Sequence, residues 1–405
     1  MISEAEALQC IRSVALPSDR FEVVPLADAL GQIAASSVLC QVPMPRFRST
    51  SVDGYALSGG AHPKGRAFTL AGEQAAGLDR ELTIGNGEAI RVFTGAPLPS
   101  GTTTVVMQED VQVSDTDAQK ITLTDEAAPG KFMREAGEDL CEGQRLLSPG
   151  DRLTAQRLSL LASQGLQEIA IRLGPRVAVF STGNELVQPG QPLANGQIYE
   201  SNGLMLRLLA EQAGASVVTA AHLPDDPDTL RVAIREAVAT ADMVLLSGGV
   251  SVGDHDHVRP VLQELGMTMH FWKVRVKPGK PLLCGQLEDC LVFGLPGNPA
   301  SSFVSFLVFC LPAFRCWLGL ENAAFDEGTG PGQRCSVVLS GRKLHNESDR
   351  PHYVRGRFDA KASQFEAIGL QQSHALQSLA LANALARVPE HSRLVAGDTV
   401  EVVLF

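Results

Sequence analysis

The sequence lacks the excess of basic residues that proteins binding nucleic acid carry on their surface. Among its 405 residues, 34 are Lys or Arg and 45 are Asp or Glu, so the formal net charge at pH 7 is -11. A chain this acidic does not present the cationic surface that neutralises the phosphates of DNA or RNA. We therefore expect small molecules and other proteins, and no nucleic acid, as binding partners.

The sequence also lacks features that direct a chain to or through a membrane. Its first residues, MISEAEALQCIRSVAL, contain no basic stretch ahead of a long apolar core, and Ser3 with Glu6 forms the capping-box pattern of a helix. The most apolar stretch, FVSFLVFCLPAF at 303–314, is too short to span a bilayer and predicts a buried core helix. The sequence thus predicts a cytoplasmic protein without membrane association.

The eight cysteines form no CxxC pair and no spacing typical of a zinc site. They stand at positions 10, 40, 141, 284, 290, 310, 316 and 335. Without a secretion signal, this scatter argues against a disulfide framework. We expect reduced thiols.

The pattern of the sequence changes along the chain and predicts four domains, in line with about 100 to 200 residues per domain. We predict a split N-terminal helical or mixed domain from residues 1–40 and 141–173. A β-rich domain, residues 41–140, is inserted between its halves. An α/β domain of residues 174–320 and a C-terminal β domain of residues 321–405 follow.

Short runs within these domains predict individual elements. We expect the helix in TAQRLSLLASQG to pack against the N-terminal helix and so close the split domain. The inserted domain contains strand-like runs: RAFTL, EAIRVF, TTVVMQ and KITLT. The C-terminal segment contains four more runs that predict strands: CSVVLSGRKL, HYVRGRF, SLALANALARV and DTVEVVLF.

Residues 176–314 show the clearest pattern, an alternation of apolar strand-like runs with helical repeats. This alternation predicts a central doubly wound parallel α/β domain, with helices on both faces of the sheet. Polar loops rich in Gly and Pro follow its strands: STGNEL (181–186), LPDDPD (223–228), SGGVSVGDHD (247–256) and GLPGNPASS (294–302). In parallel sheets, ligands bind beyond the carboxyl ends of the strands, so these loops predict a ligand-binding cleft.

Glu185, Asp225 and Asp256 stand on three of these loops and could converge around a hard cation. Mg²⁺ binds oxygen ligands from one or two carboxylates and completes its shell with water and substrate phosphate. Each carboxylate could instead cap a helix or be a solvated acid. A zinc or iron site in the run from Asp254 to His257 is a weaker alternative, because consecutive residues cannot all point one way.

A cluster of basic residues follows in KVRVKPGKP (273–281). The period of a strand would place Lys273, Arg275 and Lys277 on one face, with Lys280 after a Pro-Gly turn. In an acidic protein, such a cluster suggests an anionic ligand. A solvated strand face is the better interpretation for the first two residues, whereas Lys277 and Lys280 are the better candidates for anion contacts.

Other loops offer further polar groups. In GLPGNPASS, Pro296 stiffens the loop and Asn298 precedes a helix whose N-terminal N–H groups can hold an anion. In the inserted domain, STSVDGYAL and VFTGAPLPSG place Asp53 and Thr94 in tight loops. Turn chemistry alone would also explain the glycines and prolines of these two segments.

Ten motifs of the sequence resemble those of one enzyme family. They are VDGYA, FTGAPLPSG, VVMQED, GEDL, STGNEL, SGGVSVGDHD, KVRVKPGKP, GLPGNPAS, QQSHALQSLALAN and AGDTVEV. In this order and spacing they resemble the molybdopterin molybdenumtransferases, the family of bacterial MoeA and of the E domain of gephyrin. The resemblance extends from about residue 5 to residue 405.

The resemblance implies a fold and a reaction. It implies four domains with a molybdopterin-binding-like central α/β domain, a homodimer, and insertion of molybdate into adenylylated molybdopterin with Mg²⁺-dependent release of AMP. A molybdopterin adenylyltransferase and recipient molybdoenzymes are further partners to expect. Two rival functions are another nucleotide-processing enzyme on the same α/β domain, against which the full-length resemblance argues, and a scaffold of the gephyrin type.

The resemblance also implies roles for individual residues. Asp256 matches a catalytic acidic position, and Ser251 matches a serine that contacts molybdate. The positions near the oxyanion or proposed to bind molybdate are Lys277, Lys280, Arg350 and Ser373. The remaining polar residues of the cleft are Asp53, Thr94, Glu185 and Asp225, of which the first two would serve the partner subunit.

The sequence departs from the family pattern at several positions. Arg48, Ser49 and Thr50 stand where Asp, Asn and Ser are common, Glu200 replaces a common Asp, and His257 replaces a frequent Tyr. RPHYVR also differs from the usual Gly-Arg-x-Glu-Phe. These departures bear on the contacts of the Asp53 loop and on the role of Arg350.

Overall fold

A computed structural model describes residues 1–250, 256–320 and 332–405. It confirms the predicted fold class, in which a central doubly wound α/β domain accompanies an inserted β-rich domain and a C-terminal β domain. The α-helices of the described residues are Glu4–Val14, Ala155–Ser163, Asn202–Gln212, Pro227–Val238, Val258–Glu264, Pro299–Ser305, Leu311–Trp317 and Leu376–Leu381. The domain boundaries stay a prediction.

Six strands form the sheet of the α/β domain. Their order across the sheet is Ser216–Leu223, Arg176–Thr182, Met243–Ser247, Cys290–Leu295, Leu283–Leu287 and Thr268–Trp272. The first four strands pair in parallel, and the last two add antiparallel pairs. The central strands are apolar throughout because helices cover both faces of the sheet, as in other parallel sheets.

The two faces of this sheet have separate apolar cores. On one face, the helices Asn202–Gln212 and Pro299–Ser305 pack together with the N-terminal helix, which contributes Ala7 and Ile11. On the other face, Pro227–Val238 and Val258–Glu264 cover the sheet. The sheet is therefore held from both sides, and its strand ends are the part that stays open to ligands.

The most apolar stretch lies in a continuous helix, Pro299–Trp317. This helix of 19 residues is long and apolar enough to cross a membrane by length and composition, but 83% of its apolar window is buried inside the protein. A π-helical turn at Phe306–Cys310 precedes Pro312, whose ring and missing N–H do not fit a regular α-helix. The predicted core helix is confirmed, although it is longer than the 12-residue apolar stretch suggested.

Strands, rather than helices, join the two halves of the N-terminal unit. Phe21–Pro25 pairs with Glu168–Arg172, and Val38–Leu39 pairs with Arg145–Leu147. The helix Ala155–Ser163 packs under these strands in a core of its own. The expected packing of this helix on the N-terminal helix is wrong, because the apolar side of the N-terminal helix is buried in the α/β domain instead.

The inserted domain contains a sheet of six strands. The sheet of the inserted domain has the order Thr104–Met107, Gly54–Leu57, Glu88–Val92, Ala67–Gln74, Lys120–Leu123 and Val111–Val113. All four strand-like runs expected in this domain are thus strands.

The C-terminal barrel is a closed barrel of five strands. Their order is Arg334–Ser340, Gln364–Ala367, His352–Asp359, Ala384–Val388 and Thr399–Leu404. The single strand expected in SLALANALARV is wrong in its first half, which forms the helix Leu376–Leu381. Its Leu and Ala residues favour a helix, and Ser378 and Leu379 are its buried contacts with the rest of the domain.

A buried carboxylate ties the N-terminal helix to the C-terminal barrel. The side chain of Glu4 is 9% exposed and accepts hydrogen bonds from the Tyr353 hydroxyl at 2.6 Å, Arg387 Nε at 2.9 Å and Arg334 at 3.2 Å. Burial opposes ionisation of Glu4, but the hydrogen bond from Tyr353 and the two arginines outweigh it and lower the pKa of the carboxyl. This network fixes the barrel against the α/β domain.

We expect Glu4→Gln to lower the free energy of unfolding by about 3 kcal/mol, because it leaves the partly buried Arg387 without its carboxylate and leaves Arg334 with Glu401 alone. The control is Glu264→Gln, which breaks an exposed ion pair with Arg231 and should cost less than about 1 kcal/mol. Urea denaturation of the three proteins measures the difference. Equal losses in both variants would contradict a special role for Glu4.

Candidate functional site

The four parallel strands end together at one edge of the sheet. Thr182 lies opposite Leu223, and Ser247 lies opposite Leu295. The Gly248 N–H donates to the Leu295 carbonyl at 3.1 Å, so the third and fourth loops touch at their start. The structure therefore brings the predicted loops side by side, along the edge where ligands of such sheets bind.

Glycines at 248 and 249 allow the third loop to start between its neighbours. Both have positive φ, and a Cβ on Gly248 would lie 2.6 Å from the Thr182 carbonyl oxygen. A Cβ on Gly249 would lie 2.7 Å from a methyl carbon of Val258. Any side chain here would push the third loop away from the sheet edge.

The third loop is described only at its two ends. Ser251 lies outside the described residues, as do Asp254 and His255 of the alternative metal site. Asp256 is half-buried, and the N-cap position of the helix Val258–Glu264 falls on His257. Asp256 thus directly precedes the N-cap of that helix, whose first residue, Val258, donates its N–H to the Gly249 carbonyl at 3.2 Å.

Reciprocal hydrogen bonds connect the first loop to the second. The Asn184 N–H donates to the Asp225 carboxylate at 3.1 Å, and the Asp225 N–H donates to the Asn184 side-chain oxygen at 3.1 Å. Asp226, rather than Asp225, caps the next helix through Thr229. Glu185 is exposed on the first loop. Asp225 is therefore held in the cleft and is not a helix cap.

The three carboxylates do not form a single metal-binding cluster. Across residues 1–250, 256–320 and 332–405, no three His, Cys, Asp or Glu side chains lie close enough to hold a metal ion. The expected convergence of Glu185, Asp225 and Asp256 is therefore not seen. Their oxygen atoms nevertheless suit Mg²⁺, which often binds through one or two carboxylates together with substrate phosphate.

Buried polar atoms line the strand ends and were missed by sequence reasoning. The Asn202 side-chain nitrogen donates to Ser247 Oγ at 3.0 Å and to the Gly297 carbonyl at 2.7 Å. Asn202 Oδ1 and Thr182 Oγ1 are buried without a hydrogen-bond partner in the described part of the chain. Such atoms normally bind water or a ligand, so they mark the floor of the site. The sequence pattern places Asn202 only at the start of a helix.

The fourth loop presents an exposed amide beside a helix start. Pro296 is buried, and its carbonyl lies 3.4 Å from Ser247 Oγ. Asn298 occupies the N-cap position of the helix that begins at Pro299, but its side chain makes no capping hydrogen bond. Asn298 is exposed, so its amide can contact a ligand at this edge.

The cluster of basic residues does not form one face of a strand. The strand ends at Trp272, and Lys273 has a φ of 67°, with its ammonium 3.9 Å from the Trp272 ring centroid. Arg275 donates to a carbonyl of the C-terminal segment at 3.0 Å. The expected strand is wrong here, but Lys277 and Lys280 are exposed around the turn, as an anion site requires.

The C-terminal barrel lies against this turn. The Lys277 N–H donates to the Pro351 carbonyl at 2.9 Å, and the Tyr353 N–H donates to the Lys277 carbonyl at 2.7 Å. The Arg350 guanidinium donates to the Val276 carbonyl at 3.3 Å. The structure thus brings Lys277 and Arg350 together, although they are 73 residues apart in the sequence.

His352 shows that the field at this junction is positive. Burial first, and then the charges of Lys277, Arg355 and Arg350, lower the pKa of His352 to about 4. The imidazole is therefore neutral at pH 7, beside three cations. Sequence reasoning missed His352 and Arg355, since only the tertiary structure places them here.

Ser373 connects this cationic region to the sheet edge. Its carbonyl accepts a hydrogen bond from the Ala300 N–H at 3.0 Å, in the first turn of the helix that follows the fourth loop. Ser373 is half-buried. The segment that carries Ser373 therefore contacts the start of the helix that follows the fourth loop.

Asp53 and Thr94 form a separate polar pair in the inserted domain. The Thr94 N–H and hydroxyl both donate to the same Asp53 oxygen at 2.8 Å, and these bonds lower the pKa of Asp53. Gly54, the next residue, permits close approach of the neighbouring strand, since a Cβ would lie 1.9 Å from the Val106 carbonyl oxygen. Both residues of the pair are exposed. Within the described residues, no hydrogen bond or ion pair joins them to the α/β domain.

The unusual residues before Asp53 have structural roles. Arg48 forms an ion pair with Glu135 at 3.0 Å. Ser49 and Thr50 form a short strand that pairs with Met133–Arg134. The residues at these departures from the family pattern therefore stabilise the segment that leads into the Asp53 loop.

Comparison with known families accounts for most of the chain. Residues 2–165 match the MoeA N-terminal region (domain I and II), residues 178–315 match a probable molybdopterin binding domain, and residues 338–405 match the MoeA C-terminal region (domain IV). The matches follow one another in the order of the structural units.

Individual proteins are similar over nearly their whole length. The molybdopterin molybdenumtransferase of Haemophilus influenzae is 32% identical over 95% of this chain and 94% of its own length. That of Nostoc sp. is 35% identical over 95% of this chain and 88% of its own. The crystal structure of the molybdopterin biosynthesis MoeA protein of Pyrococcus horikoshii is 29% identical, with a TM-score of 0.83 over 100% of this chain and 99% of that protein.

Proposed function

This chain belongs to the molybdopterin molybdenumtransferase family of molybdenum cofactor biosynthesis, and we propose that it inserts molybdate into adenylylated molybdopterin with release of AMP. One observation carries the proposal. The Ala300 to Ser373 hydrogen bond joins the segment beside the cationic junction, which is suited to a tetrahedral dianion, to the helix after the fourth loop. That loop begins at the same sheet edge as the carboxylate loops, which are suited to a phosphoanhydride. The similarity extends over both β structures, which does not favour a nucleotide-processing enzyme built on the α/β domain alone.

The carboxylate loops would bind the adenylylated end of the substrate. Asp225 and Asp256, with Glu185 nearby, would hold Mg²⁺ together with substrate phosphate, and Asp256 would be the catalytic carboxylate. Bound Mg²⁺ supplies charge neutralisation at the phosphoanhydride, as metal ions do in phosphoryl chemistry. The reciprocal hydrogen bonds of Asp225 with Asn184 hold the Asp225 carboxylate in the cleft.

The cationic junction would bind molybdate. Lys277 and Lys280 act as point charges around the turn, while Arg350 offers a planar fork of donors. Ser373 would add a hydroxyl donor, and the family resemblance implies that Ser251, which lies outside the described residues, would also contact molybdate. Pro296 and Asn298 lie between the two regions, where the stiff loop and the exposed amide would contact the molybdopterin part of the substrate.

The complete site would be shared between two subunits of a homodimer. Asp53 and Thr94 are exposed and form no hydrogen bond or ion pair with their own α/β domain in the described residues, which supports their availability to a partner. Apolar side chains also remain more than half exposed in this single chain: Phe21, Val23, Leu204 and Leu208. Exposed apolar residues of this kind support a covered interface.

The protein would act in the cytoplasm. A molybdopterin adenylyltransferase would supply its substrate, and molybdoenzymes would receive its product. Both partners follow from the chemistry of the proposed reaction, which consumes an adenylylated pterin and releases a metal-loaded one.

We expect the protein to release AMP and form active cofactor when incubated with adenylylated molybdopterin, molybdate and Mg²⁺. Asp256→Asn should abolish AMP release and keep the fold, because it removes charge but little volume. Asp228→Asn is the control, since Asp228 is an exposed acid that pairs with Arg231 of its own helix, Pro227–Val238. Chromatography measures AMP. Neither product from folded wild-type protein would refute the proposed function, and full AMP release by Asp256→Asn would remove Asp256 from the mechanism.

The double variant Lys277→Ala and Lys280→Ala should separate the oxyanion site from the metal site. Removing one charge-assisted hydrogen bond costs about 1.5 to 3 kcal/mol, so the half-saturating molybdate concentration should rise about tenfold or more. The half-saturating Mg²⁺ concentration should change little. Titration of each ion at a saturating concentration of the other gives both values. An unchanged molybdate dependence would place the oxyanion elsewhere.

A heterodimer tests the sharing of the site between subunits. Subunits with Asp53→Asn and subunits with Asp256→Asn should each form inactive homodimers. A heterodimer purified through two different affinity tags contains one intact composite site and should recover about half of wild-type activity.

The matched control combines Asp225→Asn with Asp256→Asn. These changes lie in the same domain, so both composite sites of that heterodimer carry a defect and it should stay inactive. Inactivity of the heterodimer of Asp53→Asn with Asp256→Asn would show that each site is built from a single chain.

A further inference from the structure

Arg355 is a buried cation without a carboxylate partner. It lies on the strand His352–Asp359 of the C-terminal barrel and is 1% exposed. Its Nε has no hydrogen-bond acceptor in the described part of the chain, and its guanidinium forms no ion pair there. Burying an uncompensated charge is costly, so a residue of this kind is expected to interact with a charged ligand or to hold a functional segment.

The Arg355 guanidinium holds the segment that carries Ser373. One terminal nitrogen donates to the Leu370 carbonyl at 2.8 Å and to the Gln372 carbonyl at 3.0 Å. The Gln371 side chain adds a second connection, because it accepts from the Arg355 N–H at 2.9 Å and donates to the Arg355 carbonyl at 3.0 Å. Three consecutive residues are thus fixed to the barrel strand immediately before Ser373.

The same segment is fixed from the opposite side by the α/β domain. The Ser373 carbonyl accepts from the Ala300 N–H at 3.0 Å, at the start of the helix beyond the fourth loop. Arg355 therefore acts on a segment that bridges the two parts of the site. A shift of this segment would displace Ser373 relative to Lys277 and Arg350.

The charge of Arg355 also affects the pKa of His352, which lies at this junction. Together with burial and the charges of Lys277 and Arg350, it lowers the pKa of His352. These three cations therefore lie close to one point, and burial lowers the pKa of Arg355 itself as well. A dianion bound at the junction would relieve the repulsion among them.

We propose that Arg355 is a positioning residue of the oxyanion site, whose guanidinium fixes the Leu370–Ser373 segment and whose uncompensated charge favours a bound dianion. The identity of the dianion as molybdate rests on the proposed function. A purely structural role would instead make Arg355 matter equally for every substrate.

Arg355→Lys tests the proposal, because it keeps the charge but cannot donate to both carbonyls in the same geometry. The half-saturating molybdate concentration should rise about ten- to a hundredfold. The half-saturating concentration of adenylylated molybdopterin should stay within a factor of about two. The matched control is Arg357→Lys, an exposed residue two positions along the same strand that donates to the Leu381 carbonyl, and it should leave both values unchanged.

A second variant tests the proposal in case Arg355→Lys does not fold. Gln371→Met keeps the buried cation but removes the other connection to the same segment, and it should also raise the half-saturating molybdate concentration selectively. The proposal is overturned by an unchanged molybdate dependence in folded Arg355→Lys, or by an equal effect on both substrates. If Arg355→Lys does not fold, an unchanged molybdate dependence in Gln371→Met overturns it.

Calorimetric titration with molybdate alone separates this proposal from the proposed function. If the wild-type protein binds molybdate but releases no AMP, the proposed reaction fails, while weaker binding by Arg355→Lys still supports Arg355 as a positioning residue. If the wild-type protein releases AMP but Arg355→Lys binds molybdate with unchanged affinity, the role of Arg355 fails and the reaction stands.

Discussion

Parallel pairing of four strands is the constraint on which the site depends. Because parallel strands run in one direction, the loops after Thr182, Leu223, Ser247 and Leu295 must all begin at one edge of the sheet. Residues as distant in sequence as Asn184 and Asp225 then exchange hydrogen bonds. The glycines of the third loop let its backbone start between its neighbours, so that three acidic loops share one opening.

A second constraint is the position of the C-terminal barrel. An acidic protein repels a dianion at long range, so binding one requires a local positive field. The barrel brings Arg350 and Arg355 to the turn that carries Lys277, and the buried Glu4 network holds it there. The proposed oxyanion site therefore depends on domain packing, and the segment before Ser373 connects the barrel to the sheet edge.

The sequence allowed prediction of the elements whose signal is local. The alternating strands and helices of the α/β domain, the strands of the inserted domain and the buried apolar helix all follow from periodicity and composition. The wrong expectations have two causes, competing local signals and features that no local signal indicates. SLALANALARV contains both helix-favouring and strand-favouring residues, and the strand at Trp272 ends where Lys273 takes a left-handed conformation that no periodicity indicates. The partner of the N-terminal helix depends on which apolar surface buries it, which periodicity does not specify.

The fold class and the family follow from the sequence, because motif order, loop composition and the apolar pattern are properties of the chain. The candidate site residues were named from the same motifs, but which of them lie next to one another depends on the tertiary structure. Within the described residues, it leaves the pair Asp53 and Thr94 without a hydrogen bond or ion pair to the α/β domain, shows no single cluster of the three carboxylates, and places His352 and Arg355 near Lys277. Proximity between distant segments and the electric field at a point both depend on packing in three dimensions, and neither quantity is encoded in local sequence.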